Sequence, residues 1–533
     1  MQPFDLSTYP YTSSRPVMMG SRGAVATSQP LAAATGAEIL LAGGNAVDAA
    51  IAMAIDLTIV EPTSNGLGSD AFALVWDGEL HGLNASGKSP QALSPDMWAN
   101  LEELPLHGWL ATTVPGAVSA WQTLWRRWGK LPFRQLFEPA IRHAEKGFPV
   151  SPITARNWQK QAKNYLSLDG EAHKPFRTCF FPNDRAPRPG DMWRCPEQAD
   201  TLRELATTEG ESFYRGKLAE QLVAFSAATE GVFSLDDLRT HQAEWVDPIS
   251  TTYRGLTVSE LPPNGQGIAA LMALNIVEGF DLGAQSRESV TNYHQQIEAM
   301  KLAFADAHRY VADPRTMDIA TAELLDKAYA AQRRGLIGDR AMPLAEPGLP
   351  KGGTVYLAAA DDELMVSFIQ SNFMGFGSGI AIPGTGIALQ NRGSGFVLDE
   401  RHPNAIAAGK RPFHTIIPGF LSRDGQALGP FGVMGASMQP QGHLQVVSNL
   451  VDQGLNPQAA LDAPRWRFDR GNRVFLEQTV PRHVALGLSD LGHDVHVVAE
   501  PDTFGKGQVI LRLENGVLVA GSEPRADGMV IVL

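Results

Sequence analysis

Residues Lys351-Gly352-Gly353-Thr354 run directly into Val355-Tyr356-Leu357-Ala358-Ala359-Ala360, a polar Asp361-Asp362-Glu363 turn, and a second β-prone stretch, Leu364 to Gln370. This places a lone threonine at the threshold of a β-hairpin, behind two glycines that remove side-chain bulk. If the chain is cut before Thr354, that residue becomes an N-terminus. A threonine with a free α-amine carries its own base, because the amine can take the hydroxyl proton and activate the oxygen for attack on an acyl carbon. The same residues also fit a glycine turn ahead of an ordinary core hairpin, so the rest of the chain must decide.

Length and composition narrow the field. The chain has 533 residues, 44% hydrophobic and 19% charged, which suits one large layered core or two or three domains. A formal charge of -13 argues against nucleic acid or an anionic membrane surface as partner. A small-molecule substrate is expected. Cys179 and Cys195 are the only cysteines and are read as free thiols, although they could pair. No stretch is apolar enough to span a bilayer and Met1 to Tyr11 lacks a signal pattern, so a cytoplasmic protein is expected.

Local patterns read as mixed α/β. Ser28-Gln29-Pro30 opens a helix through Ala42 that Gly43-Gly44 closes, and Asn45 caps another to about Thr58. Phe72 to Trp76 and the run from Leu80 read as a hairpin about Asp77-Gly78. Val290, Tyr293, Ile297, Met300, Phe304, Ala307 and Val311 mark a long amphipathic helix stopped by Pro314. His294 and His308 flank that stripe without a carboxylate constellation, so no metal is expected. Tyr165 to Arg194 reads as a surface excursion, and Gly338 to Gly353, with Pro343, Pro347 and Pro350, as an exposed linker. No Gly-x-Ser-x-Gly elbow, P-loop or dinucleotide fingerprint occurs, and no cofactor is expected.

Several segments, in order, resemble the γ-glutamyltransferases over nearly the whole chain. They are Gly43 to Ala50, Pro262-Pro263 with Gly265 and Gly267, Thr354, Gly375 to Gly379, Lys410-Arg411-Pro412 and Gly521 to Arg525. The resemblance implies an N-terminal-nucleophile hydrolase, an α/β (α+β) fold with a four-layer αββα sandwich, and self-cleavage between Gly353 and Thr354. Residues 1–353 would form a large chain and 354–533 a small one, sharing one core and acting as each other's partners; a homodimer of such heterodimers is left open. The resemblance makes Thr354 nucleophile and, through its amine, base. Ser371 falls where the family has a hydroxyl partner of the nucleophile. Gly435 and Ala436 fall on its two oxyanion-hole glycines, a role that backbone amides perform without a side chain.

Departures from the family cluster where it grips the amino-acid end of its substrate. Ser86 replaces an arginine for the α-carboxylate, with Lys88 nearby. Phe373 replaces an asparagine, and Gly395 an aspartate that would meet the α-ammonium. Arg392 replaces a glutamine, and His414 and Thr415 replace paired serines. An ammonium beside an unbalanced guanidinium is disfavoured, whereas a carboxylate can take two parallel hydrogen bonds from it. Phe373 would also shorten the pocket. These changes favour a short dicarboxylic monoamide, and the pattern is similar to the branch containing oxamate amidohydrolase, an enzyme of purine and allantoin nitrogen recovery. Arg392 could instead pair with Asp399 or Glu400. His414 could be a substrate donor, an acid-base group or a packed residue beside Phe413. A γ-glutamyl transferase or glutathione hydrolase, a glutaryl-type acylase, and a precursor that never cleaves stay open as alternatives.

Overall fold

The computed structural model describes residue 11, residues 15–343 and residues 353–533. Two antiparallel sheets lie face to face between helical layers. The first runs in the order Met18–Gly20, Leu518–Ser522, Lys506–Arg512, Gln426–Met434, Gly419–Arg423, Leu256–Glu260 and Ile249–Tyr253. The second runs Met529–Val532, Gly23–Thr27, Gly353–Asp361, Met365–Phe373, Asp70–Trp76, Leu80–Asn84 and Glu244–Val246. Each sheet combines strands from both sides of Gly353. This is the expected αββα sandwich.

The central hairpin explains its own sequence. Strand Met365–Phe373 is buried at every position, because one face meets the other sheet and the opposite face meets a helix. Strands covered on both faces read as unbroken apolar runs rather than alternating ones. Between the sheets, the Tyr356 ring lies over Gly432, where an added Cβ would come within 2.4 Å of it. The Tyr356 hydroxyl is 2.8 Å from Ser367 Oγ, so the buried phenol is satisfied within its own hairpin.

Helix Ala46–Val60 covers the second sheet and is buried along its whole length. It is apolar on almost every side, as a helix enclosed between layers must be. Its two acids are compensated. Asp48 closes a capping box with Asn45 and accepts from the Lys130 and Leu131 amides, while Asp56 accepts from Thr35 at 2.7 Å and contacts His143 at 2.8 Å. The Asn45 cap thus agrees with the sequence pattern. The preceding helix, Pro30–Leu41, is capped by Gln29 rather than by Ser28, whose hydroxyl is bonded to Glu61. Helices Gly267–Val277, Val290–Tyr310 and Met438–Val451 form the opposite layer.

The expected surface excursion over Tyr165 to Arg194 is instead partly core. Tyr165, Phe176, Phe180, Phe181 and Trp193 are buried, and four of them ring Phe376 at 5.3–5.7 Å. Its polar residues hid a dispersed aromatic cluster that has no regular period. Cys179 and Cys195 are free thiols 3.5 Å apart. Most of the Gly338 to Gly353 linker lies outside the described residues. Among those described, no helix is long and apolar enough to cross a membrane.

The sheet contact at Gly432 gives a direct test. Gly432→Val forces side-chain atoms into the Tyr356 ring and is expected to destabilise the fold by about 1–3 kcal/mol, read as a lower midpoint in denaturant at unchanged slope.

Candidate active site

Thr354 sits at a bulge. Gly353 pairs with Phe373 and Val355 with Gln370, so one extra residue is accommodated on the neighbouring strand beside Thr354. Bulges re-aim side chains and recur next to active sites. Here Thr354 Oγ1 comes to 3.1 Å from Ser371 Oγ, and the two hydroxyls share a hydrogen bond. The Phe373 amide donates to the same Ser371 oxygen at 2.7 Å. Phe373 itself has φ 75°, a strained conformation for a bulky residue.

Behind Ser371 lies Arg392, with no exposure to solvent. Its Nη1 donates to Thr415 Oγ1 at 2.7 Å, its Nη2 makes a long 3.5 Å contact with Ser371 Oγ, and its Nε is buried without an acceptor. The Phe373 ring covers the guanidinium at 4.2 Å. Burial pulls Arg392 down to about 9, against the opposing pull of Asp70. Asp399 pairs with Arg401 rather than with Arg392.

Asp70 and His414 complete this buried group, with His414 Nε2 3.0 Å from the Asp70 carboxylate. Burial raises Asp70 to about 7, with Arg392 opposing the rise. Burial also holds His414 well below the usual imidazole range, reinforced by Arg392 and Arg411. A neutral His414 beside the Asp70–Arg392 charges follows, because two guanidinium groups oppose a further cation. The contact with Phe413 proposed for a packed histidine is not the one made: the His414 ring lies 4.6 Å from Phe72.

A segment read only as a proline-glycine motif holds these residues in place. His414 N donates to Asn264 O at 2.9 Å, Gln266 N donates to His414 O at 2.9 Å, and Asn264 Nδ2 donates to Pro412 O at 2.8 Å. Gln266 Nε2 joins the carbonyls of Thr415 and Ala436 at 2.6 and 2.8 Å. One amide therefore ties the Arg392 side of the site to the turn carrying Gly435. Arg411 anchors the same loop through a two-pronged contact with Glu244 at 2.8–2.9 Å and a bond to Ser86 O. Ser86 is buried and donates to Asn84 at 2.7 Å, so it is engaged in the scaffold. Asn264 and Gln266 were missed in the sequence because their partners lie 148 to 170 positions away.

A cavity of about 300 Å³ opens on the other side of Thr354. Thr354, Met434 and Gly435 line it together with Thr63, His107, Gln161, Tyr165, Asp502 and Lys506. Ala436, next to Gly435, takes the left-handed conformation with φ 49°. Gly375, Gly377 and Gly379 all have positive φ and bring the backbone against helix Pro152–Leu166 and its flank; a Cβ on Gly375 would lie 2.4 Å from Gln161 Oε1. Arg392, Phe373, His414 and Thr415 do not line this cavity. The site therefore has a sealed cationic side and an open side, with Thr354 between them.

Elsewhere, His294 meets His493 at 2.8 Å and both lie near Glu298, so His294 does have a carboxylate beside it, contrary to the sequence reading: Glu298 is one turn along the same helix, and only His493 comes from a distant segment. Glu298 is paired with Lys301 at 2.7 Å, so an ammonium already occupies the place a cation would take.

The gamma-glutamyltranspeptidase family model matches residues 32–533. The chain is 36% identical to a glutathione hydrolase-like proenzyme of Bacillus subtilis, covering 96% of this chain and 99% of that protein. It is 33% identical to an oxamate amidohydrolase proenzyme of Klebsiella pneumoniae, covering 96% and 98%. Among solved structures, a cephalosporin acylase from Bacillus halodurans superposes with TM-score 0.94 at 52% identity over 99% of each chain.

The buried charge group predicts a stability effect. Asp70→Asn removes the carboxylate that opposes the burial of Arg392 from a distance and the direct partner of His414, and is expected to lower stability, read as a lower midpoint in equilibrium unfolding.

Proposed function

The chain belongs to the gamma-glutamyltranspeptidase family, and from that premise we propose an autoprocessed N-terminal-threonine amidohydrolase whose acyl donor is a dicarboxylic monoamide without an α-ammonium. Oxamate, giving oxalate and ammonia, is the smallest such substrate. As a family member the protein is a hydrolase of amide C–N bonds. The observation that carries the substrate reading is Arg392: its Nε lacks an acceptor and its Nη2 makes only the long contact, so donor capacity remains one hydroxyl away from Thr354. A bound carboxylate would displace the Phe373 ring from the guanidinium and take those donors. Gly395 supports the same view, since it provides no carboxylate for an ammonium and its Cβ direction runs to within 3.0 Å of Phe413 O.

Processing and turnover use the same oxygen. In the precursor, Thr354 Oγ1 attacks the Gly353 carbonyl carbon, the C–N bond to Thr354 breaks, and the hydroxyl proton ends on the departing nitrogen. Water then hydrolyses the Gly353 ester, freeing the Thr354 amine and hydroxyl. In turnover, that amine takes the hydroxyl proton as Oγ1 attacks the substrate amide carbon, and returns it to the leaving nitrogen. Ser371 orients Oγ1 at 3.1 Å. Backbone amides at Gly435 and Ala436 receive the developing oxyanion. Water releases the diacid from the acyl-enzyme.

A glutaryl-type acylase is the second reading. The cavity of about 300 Å³ beside Thr354 favours it, because it exceeds what oxamate fills, as does the 52% identity to a cephalosporin acylase.

Three expected outcomes follow. Thr354→Ala yields a single uncut 57.5 kDa chain by intact mass and no amidase activity. In one NMR tube containing oxamate, glutaramate and glutathione, the monoamides are consumed while glutathione persists. Arg392→Ala still cleaves itself but loses about tenfold or more in kcat/KM for the monoamides, the effect of a lost charge-assisted contact. Glutamate release alone, or unchanged kinetics in Arg392→Ala, would sink the substrate assignment.

A further inference from the structure

The turn that carries Gly435 and Ala436 is tied down at both ends from one distant segment. At its far end, Ala436 O accepts from Gln266 Nε2 at 2.8 Å. At its near end stands Val433. The neighbouring strand Gly419–Arg423 pairs no further along than Phe431, and the Val433 amide donates instead to His443 Nε2 at 3.1 Å. His443 belongs to helix Met438–Val451, which begins directly after the turn, so one imidazole closes the chain from residue 433 to residue 443 around Gly435 and Ala436. The Val433 side chain is gripped as well. A Cβ on Gly442, Gly505 or Gly507 would come within 2.6, 2.6 and 3.2 Å of its methyl groups.

The chemistry of the ring follows from its partners. A backbone N–H can only donate, so His443 Nε2 must accept and the ring proton lies on Nδ1, which is 2.5 Å from Glu260 Oε1. Both side chains are wholly buried, and Glu260 Oε2 has no hydrogen-bond partner among the described residues. A buried carboxylate that serves a single partner is a costly arrangement, and its effect here is to fix the tautomer and orientation of one imidazole. Glu260 ends strand Leu256–Glu260, and Gln266 follows in the same segment. A Cβ on Gly267 would lie 2.9 Å from Glu260 Oε2, so the chain returns against the carboxylate where helix Gly267–Val277 begins. This segment therefore holds Ala436 through Gln266, and Val433 through Glu260 and His443.

An oxyanion donor is only as good as its aim, because the charge it meets develops only in the transition state. We propose that Glu260 and His443 are positioning residues for the Gly435 and Ala436 amides, holding the strand end from which those amides meet the oxyanion formed when Thr354 attacks an acyl carbon. Neither residue lines the cavity beside Thr354, and both act through the Val433 backbone. This inference rests on the Thr354 amidohydrolase reading above and on the oxyanion role given there to Gly435 and Ala436.

Two variants of the mature two-chain enzyme separate positioning from general structure. His443→Gln places an amide oxygen near the position of Nε2 and can still accept from Val433, whereas His443→Asn ends near the position of Nδ1 and keeps only the Glu260 contact. Rates are measured with oxamate, glutaramate and γ-glutamyl-4-nitroanilide. His443→Asn should lower kcat about tenfold or more with KM within about twofold, by the same factor on every amide that wild type cleaves, and His443→Gln should recover most of that loss. Equal kcat in the two variants overturns the proposal, as does a loss expressed mainly in KM. Turnover of the γ-glutamyl amide alone ends the dicarboxylic acyl reading and leaves this comparison intact on that substrate. If wild type cleaves none of the three, or a variant stays uncut, hydrogen exchange over residues 433–436 decides: faster exchange confined to His443→Asn supports the proposal, and equal exchange in the two variants overturns it.

Discussion

A guanidinium removed from water one hydroxyl away from Thr354 is the constraint around which the site is organised. Arg392 has no solvent exposure, and its charge is balanced at a distance by Asp70 and covered by the Phe373 ring. A buried cation of this kind persists only if surrounding groups are rigidly placed, because the desolvation cost is recovered only at good geometry. The Asn264 and Gln266 side chains meet that demand by fixing the His414-Thr415 loop from behind. The strained backbone at Phe373 is another consequence, since its positive φ places the amide on Ser371 and the ring over Arg392.

The sandwich supplies the rigidity. Thr354 lies at the start of a second-sheet strand buried between a helix layer and the first sheet, and Gly435 emerges where that facing sheet turns into helix Met438–Val451. Nucleophile and candidate oxyanion donors therefore come from different sheets, and the close packing of Tyr356 on Gly432 sets their separation. A bulge in one strand and a left-handed turn after another then perform the final aiming. The result is a sealed cation on one side of Thr354 and an open cavity on the other.

Much of this was legible in the chain. The hairpin behind Thr354, the Asn45 cap, the Val290 helix and the absence of a carboxylate at Gly395 were all visible as local patterns. The Ser28-Gln29-Pro30 opening of the first helix was legible, but which of its residues caps the helix was not: Gln29 does, because the Ser28 hydroxyl is spent on the buried Glu61. The aromatic cluster around Phe376 was hidden within a polar stretch for a similar reason: its order comes from contacts across some two hundred residues. His414 was read beside its sequence neighbour Phe413, whereas Phe72 and Asp70 are its partners.

The sequence by itself determined many of the strand and helix types and singled out Thr354 and Gly395, because each depends on residue identity or short-range spacing. Only the tertiary structure decided that Arg392 is sealed while Lys506 faces a cavity. Both are single cations in strand-rich surroundings, and nothing local distinguishes them. Their different environments arise from which distant segments pack over them, Phe373 and Thr415 over one and the wall of helix Pro152–Leu166 across from the other. Electrostatic role follows solvation, and solvation is set by long-range packing.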